Sequence, residues 1–501
     1  MSNDSEFQEV IRSSFWLFVG VAIFNIVGFL YWIIISLFVS PDAVGTASAI
    51  LSLESLLINI FSLGIPIGIR RFIGKYWSKK ESKKISSHLS VSLTLSILIF
   101  TPVIITILFL SIQNTTLLNL GQMELFVTVV LIFLDFWPGV LASFFISIFR
   151  TKITTLSNSA SSIVKIVTGV FFLQLGFGLE AILLGMIFAS ISRGVILLGY
   201  SSKISTEIGV KIRPRIEKQV MSNILLAGTA SWIPNTLLVV GQTLGVLLIY
   251  GYVGSAETGL YFVAFAISSA LYHLPGSIQS MMFPMLSGME NYREEIVLKS
   301  IRLSLAIIVP IALILMIYPG LPFVFLGFQY AGASEILAVL MFGLIAYPIV
   351  SGYSTYIYAL GKYLHVVMID MLSTAIRLIF YWLLIIQYQG LGAAIAYTLG
   401  IFASIIPVLI SSNRIGFSFE SIPYLKIFTV PIILSLLGLS FHFPWIIELF
   451  LILIITFVFY TRTGVITKND LKQMALAFLS AESVAKVHTH TKRIVMFLFG
   501  D

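Results

Sequence analysis

Two basic residues, Lys165 and Arg377, fall near the middle of apolar stretches long enough to cross a bilayer. A charge at that depth is costly and persists where it meets an opposite charge, water or a ligand. The two stand at matching places in related segments. "SSIVKIVTGVFFLQLGFGLEAI" (161–182) aligns with "STAIRLIFYWLLIIQYQGLGAA" (373–394) at an offset of 212, so that Lys165 meets Arg377. One cation from each segment, facing a shared cavity, can grip a diphosphate from two sides. Ammonium and guanidinium groups both give charge-assisted hydrogen bonds to phosphate oxygens. The competing expectation is neutralisation in place, of Lys165 by Asp135 and of Arg377 by Asp370 one heptad earlier.

Other polar residues in apolar surroundings extend the candidate list. Arg70 and Arg71 end the run "IFSLGIPIGIRRFIGKYWSKKESKK" (60–84), where Pro66 between two glycines is expected to bend the helix. The block serves topology, and the bend is expected to tip Arg70 toward an anionic headgroup at a cavity mouth. Glu54 and Asp135 can bind a proton or cation for coupling, or partner a buried charge. His273, ahead of Pro275, can sense protonation or serve helix packing. Asn25, Asn235 and Gln242 can hydrogen-bond sugar hydroxyls or join helices. Arg193 is expected to snorkel toward the interface. Asn114-Thr-Thr matches a glycosylation sequon in a short link.

The elements that position these residues follow from composition. Of 501 residues, 58% are hydrophobic and 10% charged, too apolar for soluble cores. Repeated apolar segments of about twenty residues read as transmembrane helices. Fourteen spans are expected, near 13–39, 45–69, 87–112, 122–148, 155–175, 179–200, 221–250, 257–287, 297–318, 334–360, 363–386, 391–412, 424–441 and 444–461. The polar, acidic start leads into a full-length span and does not resemble a cleavable signal peptide. Links after odd-numbered spans carry no Lys or Arg. All but three of the 30 cations lie at the N-terminus, at links after even-numbered spans with their flanking helix ends, or in the tail. The exceptions are Lys165, Arg193 and Arg377. This alternation predicts a multi-pass plasma-membrane protein with both termini cytoplasmic.

A second internal match, at an offset near 214, pairs "SPDAVGTASAI" from Ser40 with "GSAETGLYFVA" from Gly254. Together the matches predict an all-α membrane protein of two pseudo-symmetric six-helix lobes plus two C-terminal helices, with a substrate site between the lobes. The expected division is an N-lobe at 1–200, a cytoplasmic linker at 201–220, a C-lobe at 221–412, helices thirteen and fourteen at 413–461, and a cytoplasmic tail at 462–501. That tail is expected to hold an amphipathic helix, "KNDLKQMALAFL".

With no cysteine, the chain has no thiol nucleophile, disulfide or cysteine-ligated metal. It carries no P-loop, no HExxH and no carboxylate pair on an outer loop. Neither an enzyme, a metal or cofactor site, nor a nucleic-acid partner is expected.

Four stretches resemble one family: "SLGIPIGIRRFIGKY", "LPGSIQSMMFPMLS", "FLGFQYAGASEILAVL" and "GLGAAIAYTLG". Together with the span pattern over essentially the whole chain, they look like the MOP superfamily and its polysaccharide or lipid-linked oligosaccharide flippase branch. The resemblance implies two lobes in a V and a cavity open alternately to either side. It also implies cationic cavity residues that hold a polyprenyl diphosphate, whose lipid tail stays in the bilayer. Drug exporters of the MATE type usually have twelve helices. Lipid II flippases have fourteen, with cations in their first, second and eighth spans. Arg12 and Arg70 match two of those regions here, but span eight offers only His273. Membrane lipids and the lipid-linked glycan are the implied partners, with a glycan polymerase or transferase as a further one. A single chain suffices for the fold.

Overall fold

The computed structural model describes residues 27–113, 118–288, 293–419, 422–441, 444–471 and 498–499. Regular elements among them are helical, as hydrocarbon requires of a spanning chain that must satisfy its own backbone. In order they are α1 (Val27–Ser36), α2 (Pro41–Phe61), α3 (Ile65–Ser78), α4 (Ser82–Ile112), α5 (Gln122–Ser147), α6 (Thr151–Gln174), α7 (Leu179–Glu207) and α8 (Lys218–Tyr252). There follow α9 (Ser255–Gly288), α10 (Arg293–Ile317), the short α11 (Leu321–Leu326), α12 (Ala333–Ala359), α13 (Tyr363–Ile415), α14 (Tyr424–Phe441) and α15 (Trp445–Arg462). Eleven are long and apolar enough to cross a membrane. Counting α13 twice and adding α9 accounts for thirteen of the fourteen predicted spans, and the first predicted span enters the described residues only as α1.

Two breaks show how the chain turns polar backbone to use. Span two is interrupted at Leu63 and Gly64, both in the left-handed region, with φ of 47° and 73°. The bend expected at Pro66 therefore lies just ahead of it, and Pro66 occupies the first turn of α3, where its missing N–H costs no hydrogen bond. The second break is inside α13. Gln389, at φ 51° and ψ −130°, separates two arms that correspond to predicted spans eleven and twelve.

The cation-free ends of the helices share one apolar core. Tyr31, Ile50 and Ile132 from the N-terminal half pack in one cluster with Tyr261, Leu340 and Tyr381 from the C-terminal half. Toward the cation-rich ends the packing divides. Ile69, Leu89, Phe144 and Leu197 build one cluster, and Ile301, Tyr353, Val408 and Tyr460 build another. The molecule is thus joined at one end and parted at the other, except where α8 packs on α2, α3 and α4.

At the joined end, α2 and α9 meet backbone to backbone. A Cβ added to Gly45 would lie 1.8 Å from the Ser255 carbonyl oxygen, and one on Gly259 would lie 1.9 Å from that of Pro41. Glycine is required at both positions. These are the segments matched at the offset of 214, so the related sequences face each other in the fold. Ser255 Oγ donates to Asp42 Oδ1 at 2.8 Å, and Tyr330 and Gln329 both donate to the Val39 carbonyl.

Helix α10 is held at both ends by the added C-terminal segment. At one end, the Tyr318 hydroxyl donates to the Glu448 carboxyl. Glu448 is only 1% exposed and fits against Gly438, so span fourteen is less uniformly apolar in function than in composition. At the other end, Lys299 Nζ and Arg302 Nη2 lie 2.7 and 2.9 Å from the Asp470 carboxylate. Asp470 also accepts from Thr467 N while its own N–H reaches Thr467 Oγ1, a reciprocal cap that starts a helix. Only Lys468–Leu471 of the expected tail helix falls within the described residues.

Two outcomes follow from these contacts. Gly259→Val should open the α2–α9 seam, at a cost of about 2 kcal/mol typical of overpacking. Because the chain lacks cysteine, an Asp42→Cys/Ser255→Cys pair can report the seam. Its disulfide yield should fall severalfold in the Gly259→Val background, and an unchanged yield would refute the contact. Asp470→Asn should destabilise the protein by about 1–2 kcal/mol, discounted from a fully buried pair because Lys299 and Arg302 are partly exposed. Burial raises the Asp470 carboxyl, but the Lys299 and Thr467 hydrogen bonds and the Arg302 charge outweigh it and hold it below the carboxylate range. Its contribution is therefore complete at neutral pH and is lost only below about pH 4. Thermal midpoints of wild type and variant should converge in that acidic window.

Candidate functional site

Lys165 and Arg377 occupy equivalent helices but different surroundings. Lys165 on α6 places Nζ 4.1 Å from the centre of the Tyr31 ring and 5.3 Å from that of Trp32. Trp32 in turn meets Phe262 of α9 edge-on at 4.6 Å, so this cation stands behind the seam between the halves. Arg377 is 5% exposed, with Cζ 4.1 Å above the Tyr397 ring. Its Nε has no hydrogen-bond partner among the described residues. The faces of aromatic rings attract cations, and the attraction strengthens where water is excluded.

The difference between the two cages comes from a swap of glycine and tyrosine. Tyr31 of α1 lies against Gly169 of α6, 3.2 Å from where its Cβ would be. In the second half, Tyr381 fills the place matching Gly169 and packs on Gly245 of α8, which matches Tyr31. Each half thus puts one ring in the same space from opposite helices. Tyr397 matches Gly185, where a side chain would crowd the Lys165 carbonyl and Gly169. Arg377 gains a ring there that Lys165 cannot have.

Neither expected neutralisation is made. Among the described residues, no carboxylate forms an ion pair with Lys165 or Arg377. Asp135 of α5 instead accepts the Ser190 hydroxyl at 2.6 Å and lies 3.6 Å from Arg193 Nη1. Ser190 and Arg193 are three residues apart on α7 and so share a face. Arg193 therefore does not simply snorkel, although its side chain keeps 30% exposure. Glu54 of α2 interacts electrostatically with both Asp135 and Arg193. Of the two carboxylates, Asp135 contacts the guanidinium, and Glu54 lies within electrostatic reach of both. Asp370, half-buried on α13 and two turns from Arg377, interacts with it electrostatically but forms no ion-pair contact.

The remaining candidates scatter along the parted region. Arg70 Nε donates to Ser143 Oγ of α5 at 3.2 Å, and both Arg70 and Arg71 are exposed. Behind them, Gly64 and Gly228 bring α3 and α8 into backbone contact. Asn235 of α8 is exposed and donates to the Asn59 side chain at 3.0 Å, while Trp232 Nε1 donates to the Asn59 carbonyl at 2.8 Å. Gln242 is half-buried on α8 and His273 is exposed on α9. Arg12, Asn25 and the Asn114 sequon lie outside the described residues. Asn59, Trp232, Tyr31 and Tyr397 were absent from the candidate list. Only the repeat alignment could have signalled the two tyrosines, as places where one half has a ring and the other glycine. Among the described residues no group of His, Asp and Glu is arranged to hold a metal ion.

Residues 10–290, more than half of the sequence, match the family described as "Polysaccharide biosynthesis protein". The chain belongs to this family. No curated protein matches it. Among solved structures it is similar to the lipid II flippase MurJ in an inward closed conformation, with TM-score 0.69 and 16% identity over 89% of this chain and 98% of that one. A multidrug resistance MATE family transporter of the MOP superfamily, inward-facing, gives TM-score 0.67 and 14% identity over 79% and 94%. An outward-facing MATE structure gives 0.57 and 15% over 81% and 95%. These likenesses establish the fold, a multi-pass helical bundle like those of MurJ and the MATE transporters.

The Asp135–Arg193 contact makes a direct test. Arg193→Gln should leave Glu54 and Asp135 facing each other without a cation and cost about 2 kcal/mol of stability. Adding Asp135→Asn should recover about half, giving a favourable coupling term in a double-mutant cycle read from unfolding midpoints. Strictly additive losses would show the pair to be inert.

Proposed function

We propose that the protein is an alternating-access flippase that moves a polyprenyl diphosphate-linked oligosaccharide from the cytoplasmic to the outer leaflet. The product would serve surface polysaccharide or glycoprotein assembly. A sugar-diphosphate head cannot cross about 30 Å of hydrocarbon without substitute hydrogen bonds and countercharge. The observation that carries the reading is a pair of cations within apolar helices, held by aromatic rings and, among the described residues, in no ion pair with a carboxylate. Their charge remains available to an anionic ligand, within a family named for polysaccharide biosynthesis.

In this reading the cation-rich, parted end faces the cytoplasm, as the positive-inside distribution supports. The two lobes divide as the sequence repeat predicts. Arg70 and Arg71, with Arg12, meet the diphosphate at the mouth, and Lys165 and then Arg377 hold it deeper. Tyr397 covers Arg377 in the present state, so that contact belongs to a later stage of the cycle. Asn25, Asn235, Gln242 and His273 meet sugar hydroxyls. Glu54, Asp135 and Asp370 carry the coupling or the charge pairing. The lipid tail stays in the bilayer, one chain suffices, and a glycan polymerase or transferase acts on the delivered substrate.

The Glu54–Asp135–Arg193 cluster favours a second reading, a cation-coupled exporter of amphipathic molecules. Flipping of a fluorescent polyprenyl-diphosphate sugar in liposomes separates the two. Wild type should flip it, Lys165→Ala should slow it roughly tenfold or more with folding intact, and Lys165→Arg should keep much of the rate. Lys165→Ala/Arg377→Ala should lose it. Absence of flipping by folded wild type across several headgroups would overturn the flippase in favour of the exporter.

A further inference from the structure

Between α7 and α8 the chain runs alongside α4, held by a regular set of hydrogen bonds. Lys211 N, Arg213 N and Arg215 N donate to the side-chain oxygens of Ser86, Ser90 and Thr94 at 2.8, 3.1 and 3.1 Å. Every second linker residue thus meets every fourth helix residue. Two of the hydroxyls work twice: Ser90 Oγ donates to the Lys211 carbonyl and Thr94 Oγ1 to that of Ser90. The segment ends at Glu217, which accepts from Ser87 Oγ at 3.0 Å and pairs with Arg215.

Depth explains the arrangement. Ile97 and Leu98, about one turn beyond Thr94 along α4, are each 52% exposed, apolar side chains that a spanning helix leaves to lipid. The linker therefore descends to the boundary between headgroups and hydrocarbon. Backbone N–H groups there lose water and need partners in the protein, which the three hydroxyls supply. Pro214, between two of the donors, has no N–H to leave unmet on the opposite edge.

The outward side has the composition of a membrane-surface element. Ile212 and Ile216 are 41% and 65% exposed, interleaved with exposed Lys211, Arg213 and Arg215. Arg215 is balanced by Glu217, whereas Lys211 and Arg213 pair with no carboxylate among the described residues. Lys79, Lys80 and Lys83, at the turn into α4, add exposed positive charge at the same end of that helix. Apolar side chains that enter the bilayer beside cations at headgroup level form a binding surface for anionic lipid.

We propose that residues 210–217 are a lipid-binding strap that captures the headgroup of an anionic phospholipid through Lys211 and Arg213, with the α4 hydroxyl ladder fixing their position. The inference does not depend on the transported substrate. Native mass spectrometry of the full-length protein, titrated with phosphatidylglycerol or phosphatidylcholine, reads it directly. Wild type should bind phosphatidylglycerol preferentially, and Lys211→Gln/Arg213→Gln should weaken that binding roughly fivefold for each cation removed. No headgroup preference, equal affinity in the double variant, or full competition by inorganic phosphate would overturn the proposal. Ser90→Ala leaves both cations in place but removes the central rung. It should speed amide exchange at Arg213 and weaken phosphatidylglycerol binding, and unchanged affinity with faster exchange would overturn the role of the ladder.

Discussion

The fold depends on one contact, the place where Gly45 meets the Ser255 carbonyl and Gly259 meets that of Pro41. Two helices related by the internal repeat touch there without side chains between them. Such an approach is possible only with glycine and gives each helix close-packed contact in a solvent where apolar burial brings little advantage. Around it lie the shared core and the hydrogen bonds to Val39 and Asp42. Because this join lies at the cation-free end, the opposite ends of the two halves are left to part.

A second constraint governs the polar groups. Hydrocarbon offers no water, so each charge or backbone donor at depth must find its solvent inside the protein. Here the solutions differ by site. Lys165 and Arg377 rest on tyrosine faces, Asp135 takes Arg193 and the Ser190 hydroxyl, Glu448 takes a tyrosine hydroxyl, and the linker amides take serine and threonine. The aromatic solution differs in kind from the others. A ring stabilises a cation without cancelling its charge, whereas a carboxylate neutralises it.

The span pattern and the internal repeat were legible because both are written in long-range periodicity. Twenty-residue apolar runs and the offset between Lys165 and Arg377 survive any local misreading. Partner choice was not legible in the same way. Asp135 and Lys165 are on neighbouring spans, and sequence distance alone made them a pair. The helix that reaches Asp135 is α7, whose Ser190 and Arg193 present one face. Pro66 misled in a similar manner, since a proline signals a helix boundary and a helix bend alike, and the strain is carried by Leu63 and Gly64. The hydroxyls at 86, 90 and 94 read as ordinary helix-surface residues. Their meaning depends on a chain more than a hundred residues away.

The hydroxyl ladder has a further geometric property. An extended chain advances about 6.7 Å over two residues, whereas a helix advances about 6.0 Å over four. The two rulers slip by about 0.7 Å per rung, so they stay in step for only a few rungs before hydrogen-bond tolerance is exhausted. Leu98, where a fourth hydroxyl would stand, has none to offer. The strap is therefore counted in pairs. Adding one residue within it would turn the row of amides away from α4, and adding two would preserve their facing. Parity, more than length, is what evolution must conserve in this linker.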